Sequence, residues 1–268
     1  MDKRITMSAL VSSLRPGDLV AFGGGGLLGS LDRKPMAAAK AIGANGPSEL
    51  RIVTFLGGAE VDLLIGLGKV SRLSFSYMGI DFFGLAPNFR RARETGTLEV
   101  VEYSEFMILT GLDATAKRVP FLPTHHGLGT DILKTSTAPF RVFECPITGQ
   151  PLVAVPAIEP DIVVIHVNMA DEAGNAVIRG DAYADMFLVR AAKKVFLTAE
   201  RVVKELPNDE ATRRATLISR VWVDGVCEAP QGARFTALYP EYPCDIVAVE
   251  EYVKRSGERS WLEDWASS

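Results

Sequence analysis

Residues 19–26 read Leu19-Val20-Ala21-Phe22-Gly23-Gly24-Gly25-Gly26. Four apolar residues suit a short buried strand, and the glycines after them permit positive φ and close backbone approach. Pro35 then opens a helix as its first residue, with good helix formers from Met36 to Ile42. The order is strand, glycine loop, helix. It recurs downstream: Leu50 to Phe55 reads as a strand, Gly57-Gly58 follows, Val61 to Ile65 is helical, and Val70 to Met78 contains a third strand. Upstream, Ala9 to Leu14 is a short helix stopped by the turn Arg15-Pro16-Gly17-Asp18. Alternating β and α, with Gly at the β-to-α junctions, predicts an α/β fold: an open, mostly parallel sheet with helices on both faces.

The pattern continues to the C-terminus. Phe89 to Thr95 is a basic helix, Thr97 to Glu102 a strand, and Phe106 to Arg118 an amphipathic helix with Met107, Leu109, Leu112 and Ala116 inward. Pro120 to Thr137 shows no periodicity and is expected as a long loop; Cys145 to Gln150 is a hairpin turn around Thr148-Gly149. Ile162 to Val167 is β-branched and almost wholly apolar, a strand for the sheet centre. Ala182 to Lys193 reads as a helix, with strands at Lys194 to Ala199 and Val221 to Val226. One domain spanning residues 1–268 is expected, with a tail from about Tyr239 on the surface or on a partner. Ligands of open α/β sheets bind at the carboxyl ends of strands. That directs attention to the loops after Phe22, Phe55, Met78, Glu102 and Val167.

Composition narrows the function. The chain has 268 residues with 29 basic and 33 acidic side chains, a net charge of −4, which disfavours nucleic acid and polybasic membrane contact. Its most apolar stretch, Ile162 to Ala170, is too short to span a bilayer. Met1 to Thr6 lacks the apolar core of a signal peptide, so a cytoplasmic location is expected. Cys145, Cys227 and Cys244 are scattered and form neither a disulfide framework nor a metal-ligand set, so no metal is expected.

Several residues have chemistry within reach. Amides of Gly23, Gly24, Gly25 and Gly26 suit a phosphate or an oxyanion, although a tight β-to-α turn also explains them; no P-loop Lys or dinucleotide fingerprint accompanies them. Ser104 is placed as an N-cap, and Glu105 beside it is either a first-turn carboxylate favoured by the helix dipole or a catalytic base or nucleophile. His125 and His126 are loop imidazoles, either exposed bystanders or acid/base groups. His166 reads as a core histidine. The turn from Asn168 through Gly174-Asn175 is a solvated turn or part of the site rim.

Taken in order, the glycine loop, Arg33-Lys34-Pro35-Met36-Ala37, Glu102-Tyr103-Ser104, Val119 to Thr124, Leu128-Gly129-Thr130-Asp131 and His166-Val167-Asn168 to Gly174-Asn175 resemble the α subunit of the family I CoA-transferases, the glutaconate/3-oxoacid type. The resemblance runs from about Lys3 to Tyr252. It implies CoA transfer between an acyl-CoA thioester and a carboxylic acid, coenzyme A as substrate with no tightly bound cofactor, and a related β subunit in an α2β2 heterotetramer. It places Gly23 to Gly26, Ser104, His125, His126, Asn168, Gly174 and Asn175 around the oxyanion and substrate. The nucleophilic glutamate of such enzymes normally lies on the β subunit, and no Glu-Asn-Gly type motif occurs here. Transfer is the leading expectation, with Glu105 polarising or positioning substrate; Glu105 and Arg33 to Ala37 also resemble the branch that hydrolytically opens steroid-derived rings as CoA thioesters, and in that alternative Glu105 is the general base. The loop from Gly26 to Asp32 is longer than that branch leads one to expect. A decarboxylase branch completes the alternatives. A non-catalytic ligand-binding domain and a sugar-phosphate isomerase of related fold are the remaining readings.

Overall fold

The computed structural model describes residues 1–268. Thr6 starts the first helix, α1 (Met7–Ser12), by accepting the Ala9 amide at 3.1 Å. The chain then alternates through β1 (Leu19–Phe22), α2 (Met36–Asn45), β2 (Leu50–Gly57), α3 (Ala59–Gly66), β3 (Val70–Met78), α4 (Pro87–Glu94), β4 (Glu99–Glu102) and α5 (Glu105–Ala116). An antiparallel excursion follows: β5 (Phe121–Thr124), the single turn α6 (Ile132–Thr135), β6 (Arg141–Glu144) and β7 (Pro151–Pro156). β8 (Ile162–Val167) re-enters the main sheet. β9 (Met169–Asp171) and β10 (Ala176–Ile178) form a hairpin, and α7 (Asp185–Ala191) leads into β11 (Lys194–Ala199). The last elements are β12 (Val202–Val203), α8 (Glu210–Arg214), β13 (Thr216–Ile218), β14 (Gly225–Glu228), α9 (Ile246–Arg255) and α10 (Arg259–Ser267).

The main sheet has seven strands in the order β14-β11-β8-β1-β2-β3-β4, every pair parallel. β8 is flanked by β1 and β11, and all six of its residues are buried. Period-2 alternation lets it feed two cores. Ile162 and Val164 join the core under α2, α3, α9 and α10, whereas Val163, Ile165 and Val167 join the one under α5 and α7. Helices therefore cover both faces, as the sequence predicts. Parallel strands also bring every β-to-α loop to one edge. No helix is long and apolar enough to cross a membrane.

Four local expectations are corrected. Residues 120–137 are not a loop throughout, because Phe121–Thr124 pairs with β7 as the edge of a separate sheet ordered β5-β7-β6. Pro123 is compatible with that edge position. In α5 the inward set is Met107, Ile108, Leu112 and Ala114, with Leu109 and Ala116 only partly covered. The last strand starts at Gly225 rather than Val221, since residues 221–224 form a turn that exposes Val221 and Trp222. Finally, the segment after Tyr239 is not a surface tail. α10 packs on α2 and α3, and Val249, Tyr252 and Leu262 are buried in the core. Their spacing puts apolar groups on one face of each helix while the polar residues stay outside.

Candidate active site

The glycine loop leaves β1 at the carboxyl edge of the sheet, and its amides are largely occupied. Gly23 N–H donates to the Val164 carbonyl at 3.0 Å, Gly24 N–H to Asp185 Oδ1 at 2.9 Å, and Gly25 N–H to the Asp32 carbonyl at 2.8 Å. Gly26 closes a tight antiparallel bridge with Gly29, whose N–H donates to the Gly26 carbonyl at 2.8 Å. The expectation that these amides face an oxyanion is corrected for Gly23, Gly24 and Gly25, whose N–H groups are bonded within the protein. The glycines are explained by close packing: a Cβ on Gly23 would lie 2.5 Å from Asp185 Oδ1 and 2.7 Å from Ile165 Cγ1. Gly24, at φ +91°, has the Arg33 backbone pressed against it.

Two buried ion pairs hold this loop. Arg33 Nη2 lies 2.6 Å from Asp185 Oδ2, with both side chains almost wholly buried. The same guanidinium donates to the carbonyls of His166 at 3.0 Å and Asp181 at 2.8 Å. Lys34 Nζ, fully buried, sits 3.3 Å from Glu60 Oε1 and donates to the carbonyls of Gly24 and Leu56. Charges so deep persist only when paired and hydrogen-bonded. The next loop is tied in by Asp81, whose Oδ2 accepts the Leu31 amide at 3.1 Å and lies 2.6 Å from Ser30 Oγ. Arg33, Asp81 and Tyr183 all have positive φ (52°, 42° and 38°), so left-handed strain gathers around this edge.

Glu105 is the first residue of α5, exposed, and its carboxylate makes no hydrogen bond or ion pair. Ser104 accepts the Met107 amide at 3.3 Å, so its side chain acts as the cap. The imidazole of His126 stacks on Phe106 with centroids 4.3 Å apart and planes at 5°. The fold therefore brings His126 to the turn that carries Glu105. His125 is exposed in the same loop.

Other expected residues go elsewhere. Asn168 Oδ1 accepts the Arg179 amide at 2.8 Å, and Nδ2 donates to the Tyr239 carbonyl at 2.7 Å and to Glu241 at 2.5 Å, a strut that uses its whole amide. Gly174 rests against Lys3 and Val223, and Asn175 bonds Asp171 and the Arg220 amide. Their contacts fix the hairpin tip and join neither cluster above. His166 is fully buried, as read from the sequence, with Nδ1 2.9 Å from Thr198 Oγ1 and Nε2 3.5 Å from Glu200. Burial lowers its pKa against the opposing pull of Glu200, so the neutral ring is favoured. Sequence reasoning missed Arg33, Lys34, Glu60 and Asp185 as a unit. The available signal was the presence of charges inside apolar or small-residue runs.

The sequence model of the family described as coenzyme A transferase matches residues 4–229. The cholesterol ring-cleaving hydrolase IpdA subunit of Rhodococcus jostii (strain RHA1) is 36% identical over 259 residues, covering 91% of this chain and 83% of its own. The crystal structure of the decarboxylase AibA/AibB superposes with a TM-score of 0.88 at 28% identity, covering 100% of both chains. Glutaconate coenzyme A-transferase from Acidaminococcus fermentans superposes with a TM-score of 0.88 at 27% identity, over 99% of this chain and 87% of that one. Hydrolase, decarboxylase and transferase thus share this architecture.

Proposed function

Since the chain belongs to the coenzyme A transferase family, we propose that it is the A subunit of a two-subunit enzyme acting on an acyl-CoA, and that the reaction is hydrolytic cleavage of a carbon–carbon bond in a cyclic β-diketone-like acyl group. The observation that carries this reading is Glu105: an unpaired carboxylate at the carboxyl edge, on the chain itself. The similarity to a ring-cleaving hydrolase subunit supports it.

The chemistry needs one base and one water. Glu105 takes a proton from water, and the hydroxide adds to a ring carbonyl. The bond to the neighbouring carbon, which lies between two carbonyls, then breaks. Its electron pair is held as an enolate, which takes the proton back from Glu105. The products are a carboxylate and a ketone, one water having been added. A positioned base of this kind contributes about 10²–10⁴-fold.

Transfer of CoA to an acceptor acid is the second reading, favoured by the match to glutaconate coenzyme A-transferase. It requires a nucleophilic glutamate on the partner subunit and leaves Glu105 to position substrate. One experiment separates the two. The chain is co-expressed with its genomic neighbour and given an acyl-CoA panel in ¹⁸O-water, with and without acetate or succinate. Incorporation of ¹⁸O into a ring-opened carboxylate without acceptor is expected, with Glu105→Gln slowing it by about 10²-fold or more. Products that form only with an acceptor acid, with no ¹⁸O incorporated in its absence, would establish transfer instead.

A further inference from the structure

A cleft of about 680 Å³ runs along α2, between the segment 230–234 and the end of α10. That volume falls in the range of small-molecule sites. Ala37, Ala41 and Ala44, on one face of α2, provide a floor of methyl groups. Lys40 and Arg234 are the only charged side chains lining it, and no Asp or Glu does. Lys40 Nζ stands 4.3 Å from the centre of the Trp265 ring and donates to Ser268 Oγ at 3.1 Å. Arg234 Cζ lies 4.9 Å over the Tyr242 ring, and its guanidinium makes no hydrogen bond. Neither cation has a carboxylate partner, although partial burial pushes the Lys40 pKa down. Two aromatic-backed cations without counter-ions, over an apolar floor, form a receptor for an anion.

The geometry points to a binding site for a small diphosphate-bearing organic anion, with Lys40 and Arg234 on its phosphates and the α2 methyl groups under its apolar part. The inference does not depend on the reaction assigned above. The cleft wall is also zipped to the segment that follows the glycine loop. Ala37 N–H donates to the Gly232 carbonyl, Lys34 N–H to Thr236 Oγ1 and Arg33 N–H to the Ala237 carbonyl, at 2.9, 3.0 and 2.7 Å. Occupancy of the cleft therefore stiffens the backbone behind the glycine loop.

The test is calorimetric titration of the full chain, co-expressed with its genomic neighbour, with ADP, pyrophosphate and adenosine at low salt. ADP and pyrophosphate are expected to bind and adenosine not. Binding should weaken with salt. Lys40→Gln and Arg234→Gln, each checked for an unchanged melting temperature, should each weaken it by about tenfold. ADP should also slow hydrogen exchange across residues 229–237. If Lys40→Gln raises the KM for acyl-CoA in parallel, the diphosphate is that of the substrate; an unchanged KM identifies a separate effector. Absence of ADP binding, or affinity unchanged in both variants, overturns the site. So does loss of co-purification in the variants, which would mean that the two cations face an acidic surface of the partner.

Discussion

Asp185, at the start of α7, grips both ends of the loop between β1 and α2 through one carboxylate. Oδ1 accepts the Gly24 amide, and Oδ2 pairs with Arg33 at 2.6 Å. Asp185→Asn keeps the shape but leaves the Arg33 guanidinium buried without a counter-ion. Breaking a buried pair from one side costs about 3–5 kcal/mol, so a drop of that size in denaturant stability is expected, against less than about 0.5 kcal/mol at an exposed surface position. At this scale the sequence was legible where chemistry is local. Ser104 is recognisable as a cap from its position before a helix, and His166 as a core residue from its apolar strand. Asp185 was not legible, since its partners lie 152 and 161 positions away by number (185 − 33 and 185 − 24) and no local pattern relates them. The four glycines suggested ligand contact for a similar reason: Asp185 and Ile165, which press against Gly23, come from remote segments.

The junction of α3, α4 and α9 carries its own prediction. Asp62 on α3 is fully buried, accepting from Phe89 N–H at 2.8 Å, Asn88 Nδ2 at 3.0 Å and the Tyr252 hydroxyl at 2.8 Å. Burial outweighs these three donors and raises its pKa from 3.8 to about 6. The folded state then holds the proton more tightly than the unfolded chain does. Stability from this carboxyl is complete below about pH 3.8 and is lost as pH rises through about 6. The loss amounts to about 3 kcal/mol. Unfolding of the wild type between pH 4 and 7 should show this fall, and Asp62→Asn should flatten it; identical slopes would contradict the linkage. Among elements, long apolar strands and glycine-ended β-to-α junctions could be read directly. β5 and the three-residue β9 and β10 could not, because too few residues alternate to display a period. α9 and α10 were obscured by their polar outer faces.

Considered whole, the molecule leaves several large apolar groups uncovered on the loops that follow its strands. Leu27, Phe82, Leu85 and Phe106 are 88%, 68%, 59% and 58% exposed, on the loops after β1 and β3 and at the start of α5. Exposed apolar patches of this kind suit burial against another chain. The isolated chain is expected to self-associate in light scattering and to become monodisperse when co-expressed with the proposed B subunit. A stable, monodisperse monomer alone would count against that assembly. The seven-stranded sheet itself was readable from the sequence, because parallel α/β architecture follows from the order of its elements. The two side-chain clusters were less so, because each joins residues far apart in the chain, Asp185 with Arg33 and His126 with Phe106.

The hydrogen bonding of the glycine loop also constrains how this sequence can change over generations. Gly24, Arg33 and Asp185 fit one another so closely that none can be exchanged alone without leaving a stranded charge or a clash. They should be inherited as a single character, switching together or not at all. Glu105 makes no such contact, so its replacement would leave the scaffold intact and alter the chemistry alone, which would let relatives with the same fold diverge in the reaction they catalyse.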